Sequence, residues 1–310
     1  MSPGYARPLY LLPFDHRHSY VTGLFELEPP LTPEQHRKIA ESKQVIYEGF
    51  RQALETGLPT SRAGILVDEE FGAAILRDAT ERGYVTALAT EKSGTEELEL
   101  EYGTAFAQHL EAFKPTFAKV LVRYNPEDDA ARNRRQRVVL AQLSAYCRAA
   151  GQLFMVELLV PATKAERNRV QADQAAYDSR LRPGLVLQAM RAFQDAGIEP
   201  DVWKVEGLDR REDCARVVQT ARREGRRDVG CIVLGRGADE KKVAGWLETA
   251  ASVPGFIGFA VGRTTFWEAV ADHEAKRATG QAAASRIAQR YRAWAEIFER
   301  AHARRASVPR

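Results

Sequence analysis

Residues 201–209, DVWKVEGLD, are the most informative stretch of this 310-residue chain. Apolar residues on both sides of Lys204 give the stretch the pattern of a short buried strand, with the lysine in its middle. Burial disfavours the charged form of a lysine. Such a lysine either pairs with a carboxylate, for instance Glu206, or acts as an amine nucleophile. The stretch by itself leaves both interpretations open.

Short apolar segments recur along the chain, and each precedes a longer segment whose apolar residues have helical spacing. Besides the strand around Lys204, we predict strands at residues 8–14, 63–67, 84–90, 116–124, 153–160, 229–234 and 256–261. We predict helices at residues 33–56, 73–82, 96–112, 129–150, 183–196 and 280–305, and a long polar loop at residues 163–182.

Eight strands that each precede a helix indicate an α/β fold of the (β/α)8, or TIM, barrel class. The competing architecture is a doubly wound open sheet, which usually has fewer repeats and often a GxGxxG motif that this sequence lacks. No linker or break in composition divides the chain. We therefore predict one domain, residues 1–310, with a C-terminal amphipathic helix at about residues 280–305.

Composition and charge argue against several classes of protein. The formal net charge is +3, with 45 basic against 42 acidic residues, and this balance does not indicate a nucleic-acid partner. No apolar run approaches the roughly 20 residues of a membrane span. Cys147, Cys214 and Cys231 form no CxxC pair, and His16 and His18 lack the spacing of a metal motif. We expect no metal, a reduced cytoplasmic compartment, and a substrate-contacting or orienting role for His16.

Polar residues concentrate at or near the ends of the predicted strands, which in a barrel converge on the face where active sites lie. They include Asp15, Arg17, Asp68, Glu91, Lys119, Arg123, Glu157, Lys204, Arg236 and Arg263. A random surface would scatter such residues, so their convergence indicates an enzyme.

Lys119, Glu157 and Lys204 lie on the fourth, fifth and sixth predicted strands, which are neighbours in a barrel. Two adjacent lysines lower each other's pKa, and burial lowers it further. A neutral lysine amine can form a Schiff base with a ketone, and a neighbouring carboxylate can carry protons. The alternative is a buried ion network that only fixes strand register.

Two Gly-Arg pairs, Gly235-Arg236 and Gly262-Arg263, follow the seventh and eighth predicted strands. Barrels often bind phosphate there, because glycine lets the backbone approach and arginine supplies a bidentate charge. The alternative is a pair of turn glycines with solvated arginines.

The predicted strands and the residues after them resemble a known family. The segments LLPFDHRHSY, ILVDEEFG, ATEKSG, AKVLVRYNPEDD, MVELLVP, VWKVEGLD, VLGRGAD and GFAVGRTTFWEA are similar to the 2-deoxy-5-keto-gluconate 6-phosphate aldolase barrel. That barrel is often fused to the 5-dehydro-2-deoxygluconokinase of inositol catabolism. The chain also resembles, more distantly, the class I tagatose-bisphosphate and sulfofructose-phosphate aldolases.

The resemblance implies a role for each matching residue. In the family, a lysine in a K-V-E strand forms the Schiff base, a glutamate one strand earlier moves protons, and a lysine on the strand before that assists. Those roles fall on Lys204, Glu157 and Lys119, and the aspartate of an early D-x-R motif falls on Asp15. The phosphate-binding glycine and arginine fall on Gly262 and Arg263, whereas Gly235-Arg236-Gly237 departs from the small-residue turn of the distant relatives.

The implied activity is that of a metal-independent, cofactor-free class I aldolase. It would split a phosphorylated keto sugar acid, 6-phospho-5-dehydro-2-deoxygluconate, into dihydroxyacetone phosphate and malonate semialdehyde. Arg17 and Arg123 are candidates for the substrate carboxylate, from their positions alone. The resemblance also suggests a homo-oligomer. The alternatives are another ketose-phosphate aldolase or isomerase, or a non-catalytic sugar-phosphate-binding barrel associated with a sugar kinase.

Overall fold

Eight parallel strands close into a barrel in the computed structural model, which describes residues 3–306. Each strand pairs with its neighbours along the chain, and the last strand pairs with the first. The strands are β1 Leu9–Pro13, β2 Ala63–Val67, β3 Val85–Ala89, β4 Phe117–Arg123, β5 Leu153–Leu159, β6 Val202–Glu206, β7 Gly230–Leu234 and β8 Phe256–Ala260. The predicted TIM barrel is confirmed. The first two and last four residues of the predicted domain lie outside the described residues.

Helices follow the strands around the barrel, and most begin with a side chain that caps the first turn. They are α1 His18–Leu24, α2 Pro33–Glu55, α3 Glu69–Glu81, α4 Phe106–Phe113, α5 Ala130–Ala150, α6 Lys164–Arg169, α7 Gln174–Ala176, α8 Arg182–Asp195, α9 Arg211–Ala221, α10 Glu240–Ala251, α11 Arg263–Glu274 and α12 Gly280–Ala306. At α2, Thr32 and Gln35 form the capping box expected where Thr32 precedes Pro33. No helix among residues 3–306 is long and apolar enough to cross a membrane.

The helix predicted at residues 96–112 is wrong in its first half. Glu91 and Leu100 form an isolated antiparallel bridge, and α4 begins only at Phe106. Residues 96–101 read EELELE, in which leucines alternate with glutamates at the period of a strand. Leu98 is buried, and its backbone N–H donates to Gln136 of α5. This segment therefore forms one wall beside the barrel mouth.

The polar stretch at residues 163–182 is not the long loop that was predicted. It contains α6, α7 and a π-helical turn at Tyr177–Leu181 that continues into α8. Thr163 and Glu166 form a capping box at the start of α6. The buried Glu166 carboxylate also accepts a hydrogen bond from Asn125, so the segment is tied to the end of β4.

The barrel interior changes from apolar to charged along its axis. Its amino-terminal part is filled by side chains that pack on one another, among them Leu9, Leu11, Leu66, Phe117, Met155, Val202 and Ile232. Charged side chains come next toward the carboxyl ends of the strands, where Lys119, Glu157 and Lys204 are buried. The apolar plug therefore closes the charged layer from below and leaves it open only toward the mouth.

Candidate active site

Strand register brings together the three charged residues of β4, β5 and β6. Glu157 is paired directly with Lys204 across β5 and β6. Its Oε2 atom lies 2.7 Å from the Lys204 Nζ and 2.9 Å from the Lys119 Nζ. One carboxylate oxygen thus contacts both ammonium groups. The three residues that the sequence grouped together do meet in the structure.

Lys119 is the centre of a larger charge cluster. Its fully buried Nζ also lies 2.7 Å from Asp15 and 2.7 Å from Glu91. Burial acts to lower the pKa of Lys119, but the carboxylates of Asp15, Glu157 and Glu91 outweigh it and raise that pKa. Lys119 is therefore a stable ammonium ion at neutral pH. We expected two neighbouring buried lysines to lower each other's pKa, so the raised pKa of Lys119 is opposite to that expectation. The reason is that three carboxylates surround the Lys119 amine, and the sequence does not show that they meet there.

Asp15 and Glu157 are ionised at neutral pH. Burial acts to raise the pKa of Asp15 and of Glu157, but Lys119 and Lys204 lower both values below their ordinary range. Glu91 binds Lys119 through one oxygen and accepts the Leu121 N–H with the other at 3.0 Å. Glu91 thereby holds Lys119 against the backbone of β4.

Lys204 pairs across strands and not along its own strand. The suggested pairing with Glu206 is wrong, because Glu206 binds Arg236 at 3.2 Å, lies 3.5 Å from Arg182 and accepts the Val160 N–H. The carboxylate beside Lys204 belongs to Glu157. Pairing and nucleophilic chemistry are therefore compatible here, because the paired carboxylate can also accept a proton from the amine.

His16 lies at the rim of the cluster with a side chain that is 26% exposed. Burial lowers the pKa of His16 to about 4, with Arg263 and Lys204 acting in the same direction and Asp15 opposing them. The imidazole is therefore neutral at neutral pH. Its Nδ1 atom is 4.0 Å from the Asp15 carboxylate and has no hydrogen-bond partner among the described residues. Nδ1 itself is buried, but His16 also lines the cavity above the cluster, so its ring can contact a bound molecule.

A cavity of about 120 Å³ opens directly above the ion cluster. Asp15, Glu91, Glu157 and Lys204 line its floor, and the segment at residues 92–98 lines one side. The mixture of one amine, several carboxylates and an open mouth suits a small polar molecule.

The two arginines expected near a substrate carboxylate have different surroundings. Arg17 is buried, binds Glu101 at 2.8 Å and donates to the backbone carbonyl of Glu91. Arg123 lines the cavity at the end of β4, is exposed, and has no carboxylate partner within residues 3–306. Arg123 is therefore the better placed of the two to bind an incoming anion, whereas Arg17 fixes the wall of the site.

The two Gly-Arg turns also differ. Arg236 is held by Asp178 at 2.8 Å and by Glu206, so its charge is already balanced. Arg263 is exposed, donates to the Arg236 carbonyl at 2.8 Å, and has no carboxylate partner in the described part of the chain. Arg263 is thus the freer cation of the pair.

Two glycines are required where Arg263 and α11 approach the barrel. A Cβ on Gly262 would lie 2.1 Å from the Pro13 carbonyl oxygen, at the end of β1. Gly237 has a φ of +71°, and a Cβ there would lie 2.8 Å from the guanidinium carbon of Arg263. The amino end of α11 has no side-chain cap, and its free N–H groups favour an anion.

Sequence reasoning missed a buried ion pair beneath the end of β1. Lys43 of α2 contacts Asp68 at the end of β2, and its Nζ donates to the His16 carbonyl at 3.1 Å. Burial lowers the pKa of Lys43, against the opposing effect of Asp68. A signal was present, because Lys43 falls on the same helical face as Ile39 and Ile46, which are both buried. This pair positions the segment that carries His16.

The described residues contain no group of three or more His, Cys, Asp or Glu side chains arranged to hold a metal ion. Cys147, Cys214 and Cys231 are buried and free.

Comparison with known proteins relates the chain to one family and to solved barrels. A family model described as "Uncharacterized protein conserved in bacteria" matches residues 4–302. A search of curated proteins found no match.

The similar solved structures share the architecture at low sequence identity. The chain is similar to a fructose-bisphosphate aldolase from Plasmodium falciparum, with a TM-score of 0.63 and 14% identity over 96% of this chain and 98% of that one. It is similar to a Corynebacterium glutamicum protein, with a TM-score of 0.54 and 18% identity over 92% and 86%. A fructose-bisphosphate aldolase from Slackia heliotrinireducens gives 0.55 and 12% over 91% and 86%. At these identities the likeness shows the fold.

Proposed function

The chain belongs to the DUF2090 family, whose model matches nearly its whole length, and we propose that it is a class I aldolase with Lys204 as its Schiff-base lysine. The observation that carries the proposal is the 2.7 Å contact between the Lys204 Nζ and the Glu157 Oε2 at the base of an open cavity. This contact would give the Lys204 amine a proton acceptor before substrate binds. The fold shared with two fructose-bisphosphate aldolases adds support.

In the first step, the Lys204 ammonium gives one proton to Glu157, and the free amine attacks the substrate ketone. Glu157 returns that proton to the carbinolamine oxygen, which leaves as water after taking a second proton from the nitrogen. A protonated imine remains on Lys204. Total charge is unchanged, because the positive charge of the ammonium becomes that of the iminium.

In the second step, the iminium accepts the electron pair of the breaking carbon–carbon bond. Glu157 takes the proton of the substrate hydroxyl group whose carbon becomes the aldehyde, and an enamine forms on Lys204. Glu157 then returns a proton to the enamine carbon, and water hydrolyses the iminium. Lys119 stays positively charged throughout, because three carboxylates surround it, and it stabilises negative charge on the reacting oxygens.

We further propose a substrate with an anionic group at each end. Arg123 ends β4 and Arg263 follows β8, and these two strands lie on opposite sides of the closed barrel. Arg263 and the start of α11 would bind the phosphate, and Arg123 would bind a carboxylate. The charges of Lys204 and Arg263 both act on His16, which would donate to or accept from a substrate hydroxyl group. Arg17 and Arg236 would support the site without contacting the anions.

The proposed substrate is 6-phospho-5-dehydro-2-deoxygluconate, as in inositol catabolism, with cleavage between C3 and C4. Dihydroxyacetone phosphate release is measured with glycerol-3-phosphate dehydrogenase and NADH. Fructose 1,6-bisphosphate, tagatose 1,6-bisphosphate and sulfofructose 1-phosphate serve as comparison substrates. Highest kcat/KM for the keto sugar acid supports the assignment. A higher kcat/KM for one of the comparison substrates would mean that the protein is another kind of ketose-phosphate aldolase. If no substrate released dihydroxyacetone phosphate, the proposal that the protein is an aldolase would be wrong.

Arg263→Ala is expected to weaken recognition of the phosphate. A charge-assisted bidentate pair contributes about 1.5–3 kcal/mol, so kcat/KM for the phosphorylated substrate should fall roughly tenfold to hundredfold. Arg263→Lys should restore only part of the activity, because lysine lacks the planar fork.

The control for this prediction uses the dephosphorylated substrate. Wild type should prefer the phosphorylated form, and Arg263→Ala should lose most of that preference. An unchanged preference in Arg263→Ala would show that the phosphate binds elsewhere. Arg236→Ala should disturb stability more than discrimination, because Asp178 and Glu206 already neutralise Arg236.

Activity is expected to persist in EDTA. The iminium on Lys204 withdraws electrons in the manner that a divalent cation does in metal-dependent aldolases, so the proposed chemistry needs no ion. The measurement is kcat after dialysis against EDTA, with and without added Zn²⁺ or Mg²⁺. Loss of activity that a divalent ion restores would contradict a Schiff-base mechanism.

A further inference from the structure

A second cavity, of about 460 Å³, lies at the amino-terminal end of the barrel, opposite the candidate active site. Its apolar lining comes from the starts of β1 and β8 and from α12, and includes Pro8, Tyr10, Phe256, Ile257 and Phe298. Phe256 and Phe298 are buried in the core, so this lining is fixed by packing. A volume of this size is typical of sites for small organic molecules.

Some of the charged side chains at this cavity are paired with one another, and others are not. Arg62 binds Glu299 at 2.8 Å, and the Tyr10 hydroxyl group donates to the same carboxylate, so these groups satisfy one another. Arg222 and Arg305 also line the cavity, and neither pairs with a carboxylate anywhere in residues 3–306. Two guanidinium groups therefore border the cavity without a carboxylate partner of their own among the described residues.

The contacts of these two arginines leave donors available. Arg222 uses its Nε to donate to the Val229 carbonyl at 3.0 Å. Arg305 has a weak contact of 3.4 Å to the Ala251 carbonyl and a 3.1 Å contact to the His302 ring. Burial lowers the pKa of both Arg305 and His302, and neighbouring arginines act in the same direction, although Glu299 opposes them at His302. An anion would relieve this repulsion.

We propose that this cavity is a binding site for an organic anion that combines an aromatic or short apolar body with a phosphate, sulfonate or carboxylate group. The body would pack on Pro8, Pro254 and Ile257, whose side chains are at least partly exposed, and the anionic group would bind Arg222 and Arg305. Free phosphate would satisfy the charges but would leave the apolar lining exposed to water, so an amphipathic anion fits better.

The site is separate from the aldolase site. Tyr10 and Asp15 are five positions apart along β1 and the residues after it, which corresponds to about 16 Å at the rise of a strand. The apolar plug of the barrel lies between the two ends. Both sites can therefore be occupied at once, and this proposal does not depend on the proposed reaction.

The test uses 8-anilinonaphthalene-1-sulfonate, whose fluorescence rises when it binds an apolar site. We expect one dye molecule bound per chain. Arg222→Gln and Arg305→Gln should each weaken its binding about tenfold or more. Arg134→Gln is the matched control, since it removes an exposed arginine of α5 that lines neither cavity, and it should leave dye affinity unchanged. Arg123→Gln tests for dye bound at the other end of the barrel. Thermal unfolding of each variant checks that it is folded.

Competition experiments distinguish recognition of the anionic group from recognition of the aromatic rings. Naphthalene-1-sulfonate should displace the dye, whereas naphthalene-1-methanol, which is similar in shape and uncharged, should not. Absence of dye binding would overturn the proposal. Binding that Arg222→Gln and Arg305→Gln both leave unchanged, or that Arg123→Gln abolishes, would also overturn it.

Discussion

Replacement of Lys204 by alanine is expected to lower kcat/KM by roughly four orders of magnitude or more. The variant cannot form the covalent iminium, so no electron acceptor remains for the breaking bond. The measurement is dihydroxyacetone phosphate release from the best substrate found for the wild type. Glu157 keeps its contact with Lys119 in the variant, so we expect the protein to fold.

The matched control is Lys92→Ala. Lys92 lines the same cavity, but its side chain is half exposed and pairs only weakly, with Glu99 at 3.5 Å. Lys92→Ala should keep activity within a few-fold of wild type. A folded Lys204→Ala protein that retains a tenth of wild-type kcat/KM would mean that Lys204 has a structural role only.

Lys119→Met is expected to destabilise the fold by about 3–5 kcal/mol, because the substitution leaves buried carboxylates without their shared cation. Asp15, Glu91 and Glu157 each lie within 2.9 Å of the Lys119 Nζ, and the side chain is fully buried. Chemical denaturation at pH 7 measures the change in the free energy of unfolding. Lys119→Met/Asp15→Asn should recover part of the loss, because it removes one of the unpaired charges.

The stability of Lys119→Met should also depend on pH in a different way from that of the wild type. In the wild type, the pKa values of Asp15 and Glu157 are lowered in the folded state. Their contribution to stability is therefore present above the ordinary carboxyl pKa of about 4 and is lost as the pH falls below it. Lys119→Met removes most of that contribution, so the difference in unfolding free energy between wild type and variant should narrow as the pH falls below about 4. A gap that widens on acidification would contradict the charge cluster.

The sequence allowed the barrel and the grouping of Lys119, Glu157 and Lys204 to be predicted for one physical reason. Consecutive strands of a barrel are neighbours, so charged residues at similar heights on β4, β5 and β6 must meet. The order of the strands alone does not identify Glu157 rather than Glu206 as the partner of Lys204, because the partner depends on the register between strands.

What the sequence could not distinguish are contacts between distant parts of the chain. Arg17 and Arg123 look alike in sequence, and only the contact of Arg17 with Glu101 separates them. Arg236 is neutralised by Asp178, which lies in the stretch that we expected to be a loop. Side chains so far apart in sequence meet only through loop conformations, which no local pattern specifies.

The most direct test of the central claim is reductive trapping. The protein is incubated with dihydroxyacetone phosphate and sodium borohydride, digested, and analysed by peptide mass spectrometry, with Lys204→Ala as the control. We predict one reduced adduct per chain, on the peptide that contains Lys204, and no adduct in the variant. An adduct on Lys119 or on another lysine, or none on a protein that still cleaves its substrate, would contradict it.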